Sequence, residues 1–271
     1  AIAAYREVLQ TVPQENLTGM WAALQSDLAQ AYLRLAEYQE PASNYLRAID
    51  CLENALRVYS AANSPFEYAS AQIRLGRALR KSATLQPNED DWVPQLKQAI
   101  RAFQEALAVY TQAAFPDEYA MIQNQLGDIY VLLAGTLDKS ENYKLAAVAY
   151  QESIVVYDEL GKASESAVIK QNLGNTYLKL AEIEETTVNA HKAIEAYEKT
   201  LEFLVLSSHP AAYAEIQSCL GEAYRNLTEL EGKSEYGIKS VKAYQEALQV
   251  YTIDSSPVNY AFLQRNLALA Y

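Results

Sequence analysis

The chain has 271 residues, of which 22 are Lys or Arg and 34 are Asp or Glu, giving a formal net charge of −12. An acidic chain repels phosphate backbones, which argues against nucleic acid as a general partner. Half of the residues are hydrophobic, yet no apolar run reaches the roughly 18 residues that a membrane span needs, so no membrane partner is expected.

In chain order, Ala1 opens what reads as mid-helix, with no initiator Met and no charged-then-apolar leader, as expected of an excerpt. Residues 1–14 read as half a helix pair. Five complete pairs follow at 15–63, 64–114, 115–161, 162–208 and 209–255, with another half pair at 256–271. The division rests on internal self-similarity. A small residue returns as Ala29, Gly76, Gly127, Gly174, Gly221 and Ala268, at intervals of 47, 51, 47, 47 and 47. A bulky residue, at Tyr5, Leu52, Phe103, Tyr150, Tyr197 and Tyr244, repeats with the same series.

Each unit reads as two amphipathic helices. In the third pair, Tyr119, Ile122, Leu126, Ile129, Tyr130, Leu133 and Leu137 trace one stripe of a 3.6-residue period, and Tyr143, Ala146, Ala147, Tyr150, Ile154 and Tyr157 trace a second. Ser64-Pro65-Phe66-Glu67 offers a capping Ser, a first-turn Pro and a Glu three residues after the cap. Pro116, Pro210 and Pro257 recur at that phase, so a first helix is expected to begin at each. Glycine inside a helix costs about 1 kcal/mol relative to alanine. Gly76, Gly127, Gly174 and Gly221 therefore predict close approach of a neighbouring helix. Most of the 21 tyrosines read as packing between repeats, with their hydroxyls at the edge.

Cys51 and Cys219 fall in the first and fifth pairs, too far apart in such an array for the roughly 4.4–6.8 Å Cα separation of a disulfide. Both read as small buried residues of a reducing, cytoplasmic protein. The sequons Asn16-Leu-Thr18 and Asn226-Leu-Thr228 point the other way, on a triplet that arises often by chance.

Leu126-Gly127-Asp-Ile-Tyr130, Leu173-Gly174-Asn-Thr-Tyr177 and Leu220-Gly221-Glu-Ala-Tyr224 precede a second motif, Ala-x3-[Tyr/Phe]-x2-Ala. That motif is complete at Ala99, Phe103 and Ala106; it differs by one small residue at Ala146, Tyr150 and Ser153, and at Ser240, Tyr244 and Ala247. Together the two motifs resemble the tetratricopeptide repeat (TPR) signature over essentially the whole chain. The resemblance implies an all-α, right-handed superhelical solenoid of antiparallel helix pairs. The usual TPR period is about 34 residues. A period of 47 is similar to the long-period arrays of large multidomain archaeal and cyanobacterial proteins, with longer helices in each pair.

Where the repeats differ, candidate binding residues appear. The second pair carries four additional residues within Gln86–Gln95, around Trp92. Trp92 reads either as an anchor for a partner on a protruding loop or as a ring folded back on helix ends, with Asp90 and Asp91 capping the next helix near Pro94. The first helix of that pair carries Arg74, Arg77, Arg80 and Lys81, a basic stripe in an acidic chain. In the TPR family first helices line the concave face, so the resemblance implies a grip on an acidic peptide or a terminal carboxylate. The competing reading is a solvated face neutralised by Glu67, Glu89 and Asp90. By the same resemblance Asn124, Asp128, Gln171, Asn175, Ser218 and Glu222, around each Leu-Gly, are candidates for hydrogen bonds to a peptide backbone.

No catalytic, cofactor or metal constellation is expected. His191 and Glu195 stand four apart on a helix but lack a third ligand. Gly161-Lys162 lacks the remainder of a phosphate loop. No nucleophile is paired with a base and an orienting group. The expected function is a protein-interaction module or scaffold that holds a peptide, helix or neighbouring domain. The alternative is a ligand- or peptide-sensing regulatory domain of a larger signalling ATPase or transcriptional regulator. Unpartnered ends, with Leu263 and Leu267 uncovered, predict end-to-end self-association.

Overall fold

The structure is a computed structural model that describes residues 1–11, 19–184 and 186–270, apart from the side chains of Glu89, Asp90 and Thr186. The sequon at Asn16 lies outside the described residues. Those residues contain twelve α-helices and no strand. They are α1 (Ile2–Thr11), α2 (Gly19–Ala36), α3 (Pro41–Leu56), α4 (Pro65–Ala83), α5 (Glu89–Leu107) and α6 (Pro116–Ala134), then α7 (Lys139–Glu159), α8 (Ala163–Ala181), α9 (Thr186–Leu201), α10 (Pro210–Glu231), α11 (Ser234–Leu248) and α12 (Pro257–Ala270). Among the described residues no helix is long and apolar enough to cross a membrane.

Proline marks helix starts because its fixed φ suits the first turn and its missing N–H has no partner there. Pro65, Pro116, Pro210 and Pro257 are each the first residue of a helix. Ser64 occupies the cap position of α4, but its hydroxyl donates to Asn63 Oδ1 at 2.7 Å, so the expected side-chain cap is not made. The start of α5 also differs from expectation. The helix begins at Glu89 with Asn88 in the cap position, which places Asp91 inside the first turn and Pro94 within the helix. Asn88 Nδ2 donates to Asp91 Oδ2 at 3.3 Å, tying that first turn together.

The helices fall into two compact units, Ala1–Thr136 with α1 to α6 and Leu137–Tyr271 with α7 to α12. In the first, α2 packs on α3, α3 on α4, α4 on α5 and α5 on α6, while α4 also touches α2 and α6 side by side. In the second, each helix from α7 to α12 packs on the next, and α10 also touches α8 and α12. The neighbours α7 and α8 run antiparallel. Lys144 and Asp158 of α7 meet Glu184, just beyond α8, and Lys170 of α8.

Glycine and ring form the centre of the second, fourth and fifth pairs. A Cβ built on Gly76 would stand 2.8 Å from the ring of Phe103, and on Gly174 or Gly221 it would stand 2.5 Å from the ring of Tyr197 or Tyr244. The three rings are fully buried. Only a residue without a side chain lets a ring lie on the helix backbone, which explains why the helix tolerates glycine there. At the matching positions of the first pair stand Ala29 and Leu52, both fully buried, a larger first residue with a smaller second one. Ser240, which replaces the usual Ala, donates its buried hydroxyl to the Gly221 carbonyl at 2.7 Å.

Tyrosines between repeats follow the same register. Gln151 Nε2 donates to the Tyr177 hydroxyl at 2.8 Å, and 47 residues on the Tyr224 hydroxyl donates to Glu198 at 2.7 Å. The last helix departs from expectation. Leu263 is buried in a cluster with Ala214, Tyr244 and Ala247, and Leu267 packs against it, because this stripe of α12 faces the preceding pair. The uncovered apolar residues of α12 are instead Val258, Phe262 and Leu269.

Candidate interaction surfaces

The basic stripe of α4 is spent largely on its neighbours. Arg74 donates to Ser26 Oγ on α2 at 2.9 Å. Arg77, although exposed, places Nη2 2.9 Å from Met121 Sδ on α6. Arg80 pairs with Asp128 of α6 at 3.3 Å, their side chains 19% and 24% exposed. Two sequence candidates thus meet each other, Asp128 being the counter-charge of Arg80, while Glu67 lines a cleft with Arg74. Lys81 remains exposed. Beside this pair the Nε of Arg80 and the Oδ1 of Asn124 are buried without a hydrogen-bond partner. Buried polar atoms are normally satisfied, so this small polar region of the first-helix face is under-bonded.

Next to Arg74 an open cleft of about 360 Å³ is lined by Ser26, Tyr59, Glu67, Arg74 and Tyr110, among others. Burial raises the pKa of both tyrosines, nearby carboxylates add to this, and Arg74 opposes it. Trp92 is half-buried and lines a cleft of about 280 Å³ with Ala83 at the end of α4, Thr84 and Gln86 just beyond it, and Gly135 and Thr136 after α6. It lies against these helix ends.

In the second unit, Asn175 accepts a hydrogen bond from the buried Tyr197 hydroxyl at 2.7 Å, and Cys219 Sγ lies 3.8 Å from the same Oδ1. Its carboxamide therefore orients the ring that sits on Gly174. Burial pushes the Cys219 thiol up to about 11. Gln171, Ser218 and Glu222 are half-buried on α8 and α10. His191 and Glu195 point to separate partners: His191 Nδ1 to the Thr187 carbonyl at 2.8 Å, and Glu195 to Lys199 at 2.7 Å. Among the described residues no group of three or more His, Cys, Asp and Glu side chains is gathered for a metal ion.

A larger concavity lies elsewhere. An open groove of about 1020 Å³ runs between α7 and α9 above α8. Ala147, Val148, Ile154 and Val155 form one wall, Leu173, Tyr177 and Leu180 the floor, and Lys192, Glu195, Lys199 and Glu202 the other wall. Lys192 Nζ sits 5.3 Å from the centre of the Tyr177 ring, an electrostatically favourable place for a cation. None of the first-helix candidates lines this groove. The overlooked signal was the run of exposed apolar residues on α7, hidden in a helix whose hydrophobic stripe is poorly defined.

No protein-family profile matches the chain, and no curated protein matches it in sequence. Solved structures do. BtubC (BKLC) from P. vanneervenii is similar over 94% of this chain and 88% of that chain, with a TM-score of 0.56 and 15% identity. MamA protein is similar over 83% of this chain and 93% of that chain, with a TM-score of 0.52 and 17% identity. At such identities the likeness is one of fold, a TPR-like arrangement of helix pairs.

Proposed function

From a TPR-like fold, we propose that this chain is a protein-interaction scaffold that holds a peptide or helix of a partner protein against its helix pairs. The observation that carries this reading is the solvent-open groove between α7 and α9, with an apolar wall, an apolar floor and a wall of alternating charges. Open, mixed-polarity grooves between helices suit side-chain recognition of another chain, since apolar contact supplies affinity and flanking charges set register. The first-helix face of the first unit is a second contact area in this proposal. There the exposed Arg77 and Lys81, with Arg74, Arg80, Asn124, Asp128 and the Trp92 cleft, offer a basic patch suited to an acidic segment. Gln171, Asn175, Ser218 and Glu222 would add backbone hydrogen bonds on the corresponding face of the second unit.

Lysines at both surfaces make the reading testable. Amine-reactive cross-linking in an extract of the source organism, followed by mass spectrometry, is expected to join one partner protein repeatedly to Lys144, Lys170, Lys192 or Lys199 around the groove, or to Lys81 on α4. Intermolecular links absent from all five lysines would overturn the scaffold reading.

A further inference from the structure

The second helices, aligned in sequence, contain one repeat that differs from the rest. Aligned on Leu52, Phe103, Tyr150, Tyr197 and Tyr244, the residues Leu145, Val148 and Val155 of α7 correspond to Arg47, Asp50 and Arg57 in the first pair. They correspond to Gln98, Arg101 and Ala108 in the second, Lys192, Glu195 and Glu202 in the fourth, and Lys239, Lys242 and Gln249 in the fifth. The polar residues at the first of these positions have a structural use. Arg47, Lys192 and Lys239 lie over the rings of Tyr32, Tyr177 and Tyr224 at 5.9, 5.3 and 5.6 Å. The third pair alone is apolar at all three positions, and there the side chains stand in water: Leu145 is 38% exposed, Val148 53% and Val155 51%. Val148 and Val155 form the apolar wall of the groove. Positions that are polar in most other pairs are here exchanged for exposed aliphatic ones, on a helix that borders the groove, and mark a surface made to be covered.

We infer that this groove docks an amphipathic helix of a partner protein, with its apolar stripe on Val148 and Val155 and its charged flank on α9; the inference rests on the scaffold reading. Spacing selects a helix. Val148 and Val155 are seven residues apart, about 10.5 Å along α7, which is the rise of one heptad on a partner helix lying alongside. Same-face residues of an extended peptide recur at about 6.8 Å and fall out of step. From Lys144 to Asp158 the groove is about 21 Å long, room for four helical turns. The opposite wall presents Lys192, Glu195, Lys199 and Glu202, charges of alternating sign at helical spacing. Lys199 is ion-paired with Glu195 at 2.7 Å, and Glu202 adds a more distant electrostatic attraction to the same ammonium, so two carboxylates share one cation. A cation on the partner's flank, opposite Glu202, completes that wall.

Two synthetic 16-residue peptides of one composition, Leu with Lys and Glu, test the inference by fluorescence anisotropy. One carries Leu in a heptad pattern and the other carries Leu at alternate positions. The heptad peptide is expected to bind at least tenfold more tightly than the alternating one. The double variant Val148→Glu with Val155→Glu gives α7 the residues that the fourth pair carries at the same register, so its fold is expected to persist by circular dichroism while affinity falls at least tenfold. Glu202→Lys, on the exposed opposite wall, provides a second variant should the first fail to fold; it is expected to weaken binding of a peptide with a Lys-rich flank and to strengthen binding of one with a Glu-rich flank. No binding, equal binding of the two Leu patterns, or an affinity unchanged in whichever variant folds would overturn the inference. Cross-links to the groove lysines that persist beside a failed peptide test would leave the scaffold reading standing.

Discussion

The ring of Tyr197 lies on Gly174 so closely that a Cβ added to the glycine would stand 2.5 Å from Tyr197 Cε1. The ring has no easy retreat, being fully buried with its hydroxyl held 2.7 Å from Asn175 Oδ1. Gly174→Ala gains about 1 kcal/mol of helix propensity. It loses about 1–3 kcal/mol to overpacking, together with the displaced hydroxyl's hydrogen bond. The net expectation is a lower melting temperature. Adding Tyr197→Leu recovers part of the loss, since the first pair places Ala29 and Leu52 at these positions. A single variant that melts at or above the parent temperature would contradict the close approach as the reason for glycine.

Arg80 and Asp128 separate stability from recognition. Their 3.3 Å pair is mostly shielded from solvent, and Arg80 already has one unsatisfied buried nitrogen. Asp128→Ala, which leaves the guanidinium without its carboxylate, is expected to cost about 1–3 kcal/mol in chemical denaturation. Lys81→Glu, on an exposed side chain, is expected to change stability by less than about 0.5 kcal/mol. Equal effects of the two substitutions would show that the pair carries no structural weight.

Alkaline pH is expected to unfold the protein through its buried acids. Burial pushes the thiols of Cys51 and Cys219 up to about 11 and the Tyr244 hydroxyl up to about 12, and raises Tyr177, Tyr197 and Tyr224 as well. These groups keep their protons in the folded state at pH values where the unfolded chain has released them. Their stabilisation is therefore fully present below about pH 8.5, the ordinary thiol range, and is lost as pH rises through 11 to 12. Melting temperature should fall steeply above pH 10, with tyrosinate absorbance appearing together with unfolding. A melting temperature level to pH 11.5 would refute this.

Val258, Phe262 and Leu269 give α12 an exposed apolar side. Concentration-dependent self-association is expected by light scattering, weakened by Phe262→Lys. A monomer at every concentration would count against it.

Much of the fold was legible because repetition multiplies local signals. The residues after Ser64, Phe115, His209 and Ser256 are prolines that begin helices, and proline acts through its own ring and missing N–H. The glycines pointed to a close neighbour, and the rings of Phe103, Tyr197 and Tyr244 are that neighbour for Gly76, Gly174 and Gly221. Polar assignments were less legible. The stripe from Arg74 to Lys81 was visible, but its reach to Ser26, Met121 and Asp128 required knowing which helices lie beside α4.

By itself the sequence determined the register: the interval of 47, the helix starts and the pairing of a small residue with a ring, since each depends on chain chemistry that repeats locally. Tertiary structure decided where the open surface lies. Leu263 is covered, Arg80 is neutralised, and Val148 and Val155 face a groove because α7 and α9 pack on α8 without closing the space above it. That separation is set by how three helices pack together, and no local pattern of residues encodes it.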